Sequence, residues 1–504
     1  MVVGDLAHRG STLWGSRVAF TWDGRSRTYG ELSDRTARIA GALAGAGVGE
    51  GTRIAVLSSN QPEVVETCLA ASLLGAVVVP LNPRLVAAEL RFQIEDAGVT
   101  HALIHPDLAP LGEASGLGST TAWTIGPDLE RAISGAAPRS WNAPRPASDG
   151  PCVHLYTSGT TGTPKGCLLS QRGWLAANAN LALSFGTVPD DVLLGFYPFF
   201  HVAGLGIVLA HLTVGARVVI PASADAEELW RLVGDESLTT ISLPGLKHAL
   251  VHPMADKVDR SSVRILFGGA AMESLTTLDR LAEVLPDAHF RGIYGSTEAG
   301  NFVTVSSADD ERVRPGTIGR PLFGFDAAIL GDDDRQLPPG EEGELGLRGP
   351  STMLGYWNLP DATAVALANG WLHTGDIMRM DEDGFLYFVD RAKDMIKPGG
   401  ENVYSIEVES VLLRHADVVD CAVIGVPDAK WGEAVKAIVV LAPGAATTPE
   451  DLDAHCLASM APYKRPRWYE IADAIPRSET LKIVKKDLRA AHDPARAIRL
   501  PERG

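Results

Sequence analysis

Short, continuous apolar runs separated by one helix-length segment constrain this chain most. Residues 53–57 (Arg-Ile-Ala-Val-Leu) read as a buried strand, and 62–74 as a helix that opens at Pro62 and stops at Gly75. Residues 76–80 (Ala-Val-Val-Val-Pro) then read as a second strand. Strand, helix, strand with no polar alternation implies a parallel sheet covered on both faces. The pattern returns at 192–196, 217–220 and 264–267, and an Ala-rich amphipathic helix opens at Tyr29 and runs to about Gly47. Residues 111–150 are rich in Gly, Ala, Ser and Pro and read as a long surface connection with one short helix.

After Gly316 shorter strands alternate with turns at 331–334 and 381–384, which predicts a small β-rich subdomain. Beyond 391–394 come a helix (405–413), strands (418–425 and 435–441) and a helix (449–460), a compact α+β pattern. The tail from His492 is expected to fray. The expected fold is α/β: a large N-terminal domain, 1–391, of two parallel-sheet subdomains and the β-rich subdomain, then a small mobile α+β domain, 392–504. With 504 residues, more than one core is needed.

A net charge of −17 excludes binding of nucleic acid through the overall field, so an anionic ligand needs a local site. Cys68, Cys152, Cys167, Cys421 and Cys456 are scattered without a CxxC pair, which points to buried reduced thiols rather than disulfides or zinc. No apolar run is long enough to span a bilayer, the first sixteen residues lack a signal-peptide core, and the last three residues are not a peroxisomal tripeptide. A cytoplasmic monomer or homodimer, with no membrane insertion and no nucleic acid, is the expectation.

The strongest local signal is the run 156–166, Tyr-Thr-Ser-Gly-Thr-Thr-Gly-Thr-Pro-Lys-Gly. Gly159 and Gly162 permit backbone conformations that aim several N–H groups at one anion. Thr157, Ser158, Thr160 and Thr161 add hydroxyl donors, and Lys165 adds charge. A triphosphate needs this set, and the run is not a Walker loop. A second run, 293–298 (Ile-Tyr-Gly-Ser-Thr-Glu), suits the floor of a nucleotide pocket. Tyr294 can stack on adenine, and Glu298 can hold Mg²⁺ shared with phosphates.

These runs and the ones that follow them resemble, in order and spacing, the adenylate-forming superfamily of acyl-CoA synthetases, firefly luciferases and peptide-synthetase adenylation domains. The resemblance covers 29–489 and is nearest to aryl, chlorobenzoate-type CoA ligases. It implies that Gly268, Gly269, Ala270, Gly295 and Thr297 lie beside the adenine and acyl groups. Asp376, in Trp-Leu-His-Thr-Gly-Asp, would accept from the ribose hydroxyls, with Arg391 contacting ribose and phosphate. Lys393 would be a hinge, and Gly399 and Gly400 would admit the pantetheine arm of coenzyme A. Lys482 would bridge the carboxylate and the α-phosphate, although Leu481 stands where the family usually has glycine.

In the same resemblance Phe199, Phe200, His201 and Gly204 belong to the acyl pocket, with His201 near the carboxylate. Trp431, Tyr463 and Arg465 would contact coenzyme A. The implied activity is an AMP-forming acid–thiol ligase. ATP and Mg²⁺ activate a carboxylic acid to an acyl-adenylate with loss of pyrophosphate, and the acyl group then passes to coenzyme A. No basic residue interrupts 268–271 or 294–300, which disfavours dicarboxylates and leaves an aryl or medium-length apolar acid. The alternatives are transfer to an amine or a carrier-protein thiol, a luciferase-like oxygenase, and a non-catalytic nucleotide-binding regulator. The last is opposed by the complete set Glu298, Asp376, Arg391 and Lys482.

Overall fold

A computed structural model describes the chain except residues 158–163, 244–248, 270–274, 392–393, 399–402, 429, 478–482 and 501–504, and the side chains at 269, 275 and 276. By its internal contacts the chain divides into two compact units. The first is Met1–Ala327 with Gly346–Thr374, and the second is Ala328–Leu345 with Gly375–Gly504.

The first unit carries two large mixed sheets. One runs in the order Gly355–Tyr356, Lys165–Ser170, Pro151–Thr157, Val77–Leu81, Arg53–Leu57, His101–Ile104, Thr121–Thr124. Its middle is parallel, with Val78 paired to both Ile54 and Val153. The strand Val77–Leu81 is buried throughout, as the apolar run requires. The crossover helix Pro62–Leu74 is likewise buried along its whole length. Pro62 presets its first turn, and Gly75 ends it at φ 71°, donating its N–H to the Ala71 and Ser72 carbonyls.

The other sheet runs Arg320–Pro321, Asn301–Ser307, His289–Ser296, Ile265–Gly269, Thr240–Ile241, Val192–Leu194, Arg217–Ile220, Val18–Trp22, Arg25–Thr28. A Thr28–Glu31 capping box opens the helix Tyr29–Gly45. Two-faced coverage of both sheets matches the expected α/β subdomains.

The reading of 111–150 as a connection is corrected. Thr121–Thr124 is a strand, parallel to His101–Ile104 at the sheet edge, and Pro127–Gly135 is a helix. An edge strand with half its residues exposed has no apolar periodicity to announce it.

The hairpin strands Leu372–Met380 and Leu386–Arg391 belong to a four-stranded sheet, the expected β-rich piece. The turn at 381–384 is held by Asp381, whose Oδ1 accepts from the N–H groups of Asp383 and Phe385. A second sheet runs Val418–Asp428, Gly432–Leu441, Trp468–Ile471, Ile498–Arg499. The helices Ser405–Leu412 and Pro449–Ser459 cover it over a core that includes Val408, Leu412, Val423, Val439, Leu452 and Tyr469. The expected fraying of the tail is also corrected: Ile498 and Arg499 pair with Tyr469 and Trp468, and Leu500 is buried.

All five cysteines are buried and free, and burial pushes the Cys68 thiol up to about 12. Among the described residues no helix is long and apolar enough to cross a membrane.

Candidate active site

Antiparallel pairing of Pro151–Thr157 with Lys165–Ser170 makes Thr157 and Lys165 register partners, so the two ends of the Gly/Thr-rich run are held together. Ser158, Gly159, Thr160, Thr161 and Gly162 themselves lie outside the described residues. What secures the pair is a buried polar–aromatic stack. The His154 ring lies 4.8 Å from that of Tyr156 at an interplanar angle of 24°. Tyr156 donates its hydroxyl to Asp96 Oδ2 at 2.7 Å, and the Trp357 indole donates to the Asp96 carbonyl at 2.9 Å. The Arg53 guanidinium lies 3.7 Å over the Trp357 ring.

Burial, seconded by the Arg53 charge, lowers His154 to about 3, so the imidazole is neutral. Gly166 is required here, because a Cβ on it would lie 1.8 Å from His154 Nε2.

Glu298 stands on the tight turn between His289–Ser296 and Asn301–Ser307, where Ser296 and Asn301 pair. Gly300 makes that turn at φ +85°, and a Cβ there would meet the Ser351 carbonyl at 2.5 Å. The segment that packs on the turn then crosses to the other sheet. Ser351 Oγ donates to the Ala299 carbonyl, and the Met353 N–H donates to the Glu298 carbonyl. Gly355 and Tyr356 next pair with Leu168 and Cys167, and the Trp357 N–H donates to the Gly166 carbonyl.

Tyr356 thereby reaches both groups at once. Its hydroxyl donates to Glu298 Oε1 at 2.9 Å, and its ring lies 4.8 Å from Lys165 Nζ. Burial, then the Glu298 charge and hydrogen bond, hold the phenol well above its ordinary range. Burial raises the neighbouring Cys167 thiol as well.

Among the described residues no three His, Cys, Asp or Glu side chains come together as a metal cage. A half-buried carboxylate that shares Tyr356 with a lysine fits a divalent cation whose other ligands are phosphate oxygens and water. Sequence reasoning singled out neither Tyr356 nor Trp357. A two-residue strand has no periodicity, and only the Gly-Tyr-Trp aromatic pair hinted at it.

Tyr294 sits half-buried on the same strand as Ser296, opposite Thr304, with a register shift before Gly295. Gly295 must be glycine, since a Cβ would lie 2.3 Å from the Asn301 carbonyl. Gly268 meets no such wall; the nearest atom to a Cβ there is Phe290 Cε2 at 3.6 Å. Gly269 pairs with Ile293, and Ala270 lies outside the described residues. Thr297 accepts at its carbonyl from the Cys167 thiol.

The expected acyl segment is held by Asn60, which sequence reasoning missed. Its Nδ2 donates to the Gly195 and Tyr197 carbonyls, and its Oδ1 accepts from the Phe199 N–H. Phe199 is buried; Phe200 is half-buried with its ring 4.8 Å from that of His201. His201 precedes the helix Val202–Val214. Gly204 lets that helix close on the loop, since a Cβ would lie 2.1 Å from the Pro198 carbonyl. Tyr197 stacks on Phe267 at 5.8 Å, and Phe185 tilts on Phe267 at 5.5 Å, a shelf of rings beside the segment.

In the second unit Asp376 and Arg391 are cross-strand partners, with Nε to Oδ1 at 3.3 Å. Gly375, at φ +72°, donates its N–H to Glu344 Oε1. Lys393, Gly399, Gly400, Leu481 and Lys482 lie outside the described residues. Their flanks are tied. Arg489 pairs with Asp394, Ile396 bridges to Val403, and Arg477 bridges to Ile483. Lys485 is not a solvated charge: it pairs with Glu409 at 2.7 Å and donates to Ser405 Oγ, which donates to Asp390 Oδ2.

Trp431 and Tyr463 are exposed rings, the former on a turn where Asp428 Oδ1 accepts from the Lys430 and Trp431 N–H groups. Arg465 departs from the expectation. It is 1% exposed and paired with Asp453 at 2.5 Å, so a phosphate has no access to it in this conformation.

Residues 9–357 match the family described as AMP-binding enzyme, and residues 407–482 match its C-terminal domain. The chain is 36% identical over 477 residues to a feruloyl-CoA synthase of Amycolatopsis sp, covering 92% of this chain and 94% of that one. It is 35% identical over 489 residues to a fatty acid–acyl-carrier-protein ligase of Streptomyces coeruleorubidus, covering 93% and 92%. Among solved structures, o-succinylbenzoate CoA synthetase from Bacillus subtilis, in complex with its acyl-adenylate intermediate, superposes with a TM-score of 0.85 at 29% identity, covering 97% and 98%. With residues 9–357 matched to the enzyme family and 407–482 to its C-terminal domain, the chain belongs to the AMP-binding enzyme family.

Proposed function

We propose that this enzyme is an AMP-forming acid–thiol ligase that activates an aryl carboxylic acid and transfers it to coenzyme A. The observation that carries the reading is that a cation and a carboxylate share one side chain: Lys165, at the end of the Gly/Thr-rich run, and Glu298, on a hairpin turn, both contact Tyr356. A triphosphate and its divalent cation need these two charges side by side. Ring-lined surroundings at Tyr197, Phe267 and Phe200, and relatives named for feruloyl and o-succinylbenzoyl substrates, support an aryl acid.

In the first half-reaction Lys165 and the hydroxyl-rich run would hold the phosphates, and Glu298 would hold Mg²⁺. Mg²⁺ supplies charge neutralisation on the phosphates when bound. Tyr294 faces the adenine, and Asp376 with Arg391 receives the ribose. Lys482 orients the substrate carboxylate for attack on the α-phosphorus, and pyrophosphate leaves. The part from 392 onward then turns about Lys393, withdrawing Lys482 and bringing Gly399 and Gly400 to the thiol. His201 lies near the acyl carbonyl. Trp431 and Tyr463 stack with the coenzyme. Buried reduced thiols suit a cytoplasmic enzyme, working as a monomer or homodimer.

One observation favours a second reading, in which the acceptor is a carrier-protein thiol: the relative named for a fatty acid–acyl-carrier-protein ligase is 35% identical. A panel of aryl and aliphatic acids, assayed for AMP release alone, with coenzyme A and with a pantetheinylated carrier protein, separates the readings. Coenzyme A should accelerate AMP release with a cinnamate- or benzoate-type acid. Acceleration by the carrier protein alone would transfer the assignment to it.

A further inference from the structure

Glu298 sits at the tip of a hairpin turn, and Lys165 is the first residue of a strand in the other sheet of the same unit. Neither backbone by itself fixes where the two charged ends meet. A single side chain spans them. Tyr356 gives its hydroxyl to Glu298 Oε1 at 2.9 Å and lays its ring 4.8 Å from the Lys165 ammonium. Its own place is over-determined. Gly355 and Tyr356 pair with Leu168 and Cys167, the Trp357 N–H bonds Gly166, and the Met353 N–H bonds the carbonyl of Glu298 itself.

We infer that Tyr356 is a positioning residue for adenylation, its hydroxyl setting the Glu298 carboxylate for the divalent cation and its ring setting the Lys165 ammonium for the phosphates.

The chemistry follows from the donor inventory. A phenol has one proton to give, and it goes to one carboxylate oxygen, which leaves the other oxygen to a cation. A hard cation gains from a carboxylate already immobilised, because the rotamer entropy is lost before binding rather than during it. The ring contributes through its negative face, which draws the ammonium to one spot without neutralising it. A hydrogen bond and a cation–π contact from one rigid side chain couple the two charges, so a shift of one moves the other. A merely structural phenol would predict instead that its loss weakens everything alike.

This inference rests on the reading of Glu298 as the cation-binding group, and the experiment separates the two. The probes are ATP in EDTA, followed by titration calorimetry, and Mn²⁺ in the presence of ATP, followed by the spin-resonance signal of free Mn²⁺. The full-length chain is compared with Tyr356→Phe, Tyr356→Leu and Glu298→Gln. Tyr356→Phe keeps the ring and its volume and removes only the hydroxyl. It should weaken Mn²⁺ retention about tenfold or more, the scale of a hydrogen bond to a charged group, and leave ATP binding in EDTA within about twofold. Tyr356→Leu should also weaken ATP binding in EDTA, by about threefold.

Glu298→Gln with unchanged Mn²⁺ retention would overturn the reading of Glu298, and this inference with it. Weakened retention in Glu298→Gln but normal retention in Tyr356→Phe would overturn the inference alone. Equal weakening of ATP binding with and without metal in Tyr356→Phe would make the tyrosine structural and overturn it too.

Discussion

Replacing Arg465 should cost folding stability rather than affinity for coenzyme A. Its guanidinium pairs with Asp453 at 2.5 Å, and the two side chains are 1% and 2% exposed. Asp453 lies on the helix Pro449–Ser459, among residues that close the core of the second unit, Leu452 and Cys456. In Arg465→Ala the carboxylate stays buried without its partner. Breaking one side of a buried pair costs about 3–5 kcal/mol.

Against a total of about 5–15 kcal/mol for a domain, that loss is a fifth or more. Urea unfolding of the full-length chain, followed by hydrogen exchange in 405–471, should show the second unit opening at lower denaturant. The double variant Arg465→Met with Asp453→Leu should regain most of the loss, because no charge is left stranded. The KM for coenzyme A of the folded fraction should stay within about twofold of wild type. Normal stability with a selective rise in that KM would refute the reasoning and return Arg465 to a phosphate.

Gly166→Ala should place a Cβ against His154 Nε2, where the ring is stacked on Tyr156; an overpacking cost of about 1–3 kcal/mol and a raised KM for ATP are expected, relieved by adding His154→Ala. Independent, additive losses in thermal unfolding would sink that account. Burial depresses His154 to about 3 and His211 to about 4, so both are neutral when folded while their unfolded forms take protons below about 6.5. Their contribution is complete above that pH and is lost as pH falls toward 4, at about 1.4 kcal/mol per unit for each group. Urea midpoints at pH 7, 6 and 5 should show this slope, and His211→Leu should flatten it; a pH-independent wild type would contradict it.

Lys482→Ala should slow acyl-adenylate formation by about 10²-fold or more, yet turn preformed adenylate and coenzyme A into thioester at near wild-type rate. Lys393→Pro should do the reverse by fixing φ at the hinge. Equal loss of both half-reactions in a folded Lys482→Ala protein would argue for one fixed arrangement.

What the chain announces along its length is what depends on neighbours in sequence. The helix Pro62–Leu74 was legible because its start and stop are local chemistry, proline's fixed φ and glycine's left-handed φ. The strand Val77–Leu81 was legible because two-faced burial leaves an unbroken apolar run. The run 156–166 and the pair Tyr294–Glu298 stood out because the proposed phosphate and cation binding needs particular side chains at short spacing.

Tertiary structure decided the rest. Thr121–Thr124 and Ile498–Arg499 are strands because a neighbouring strand offers hydrogen bonds, and their few residues form no apolar pattern to announce it. Arg465 is interior because Asp453 meets it there, although arginine followed by proline reads as surface. Asn60 fixes a loop 139 residues away, and Tyr356 reaches a carboxylate 58 residues before it. Such partners are chosen by the packing of whole sheets, and no local pattern encodes them, because the distance that matters is in space and not along the chain.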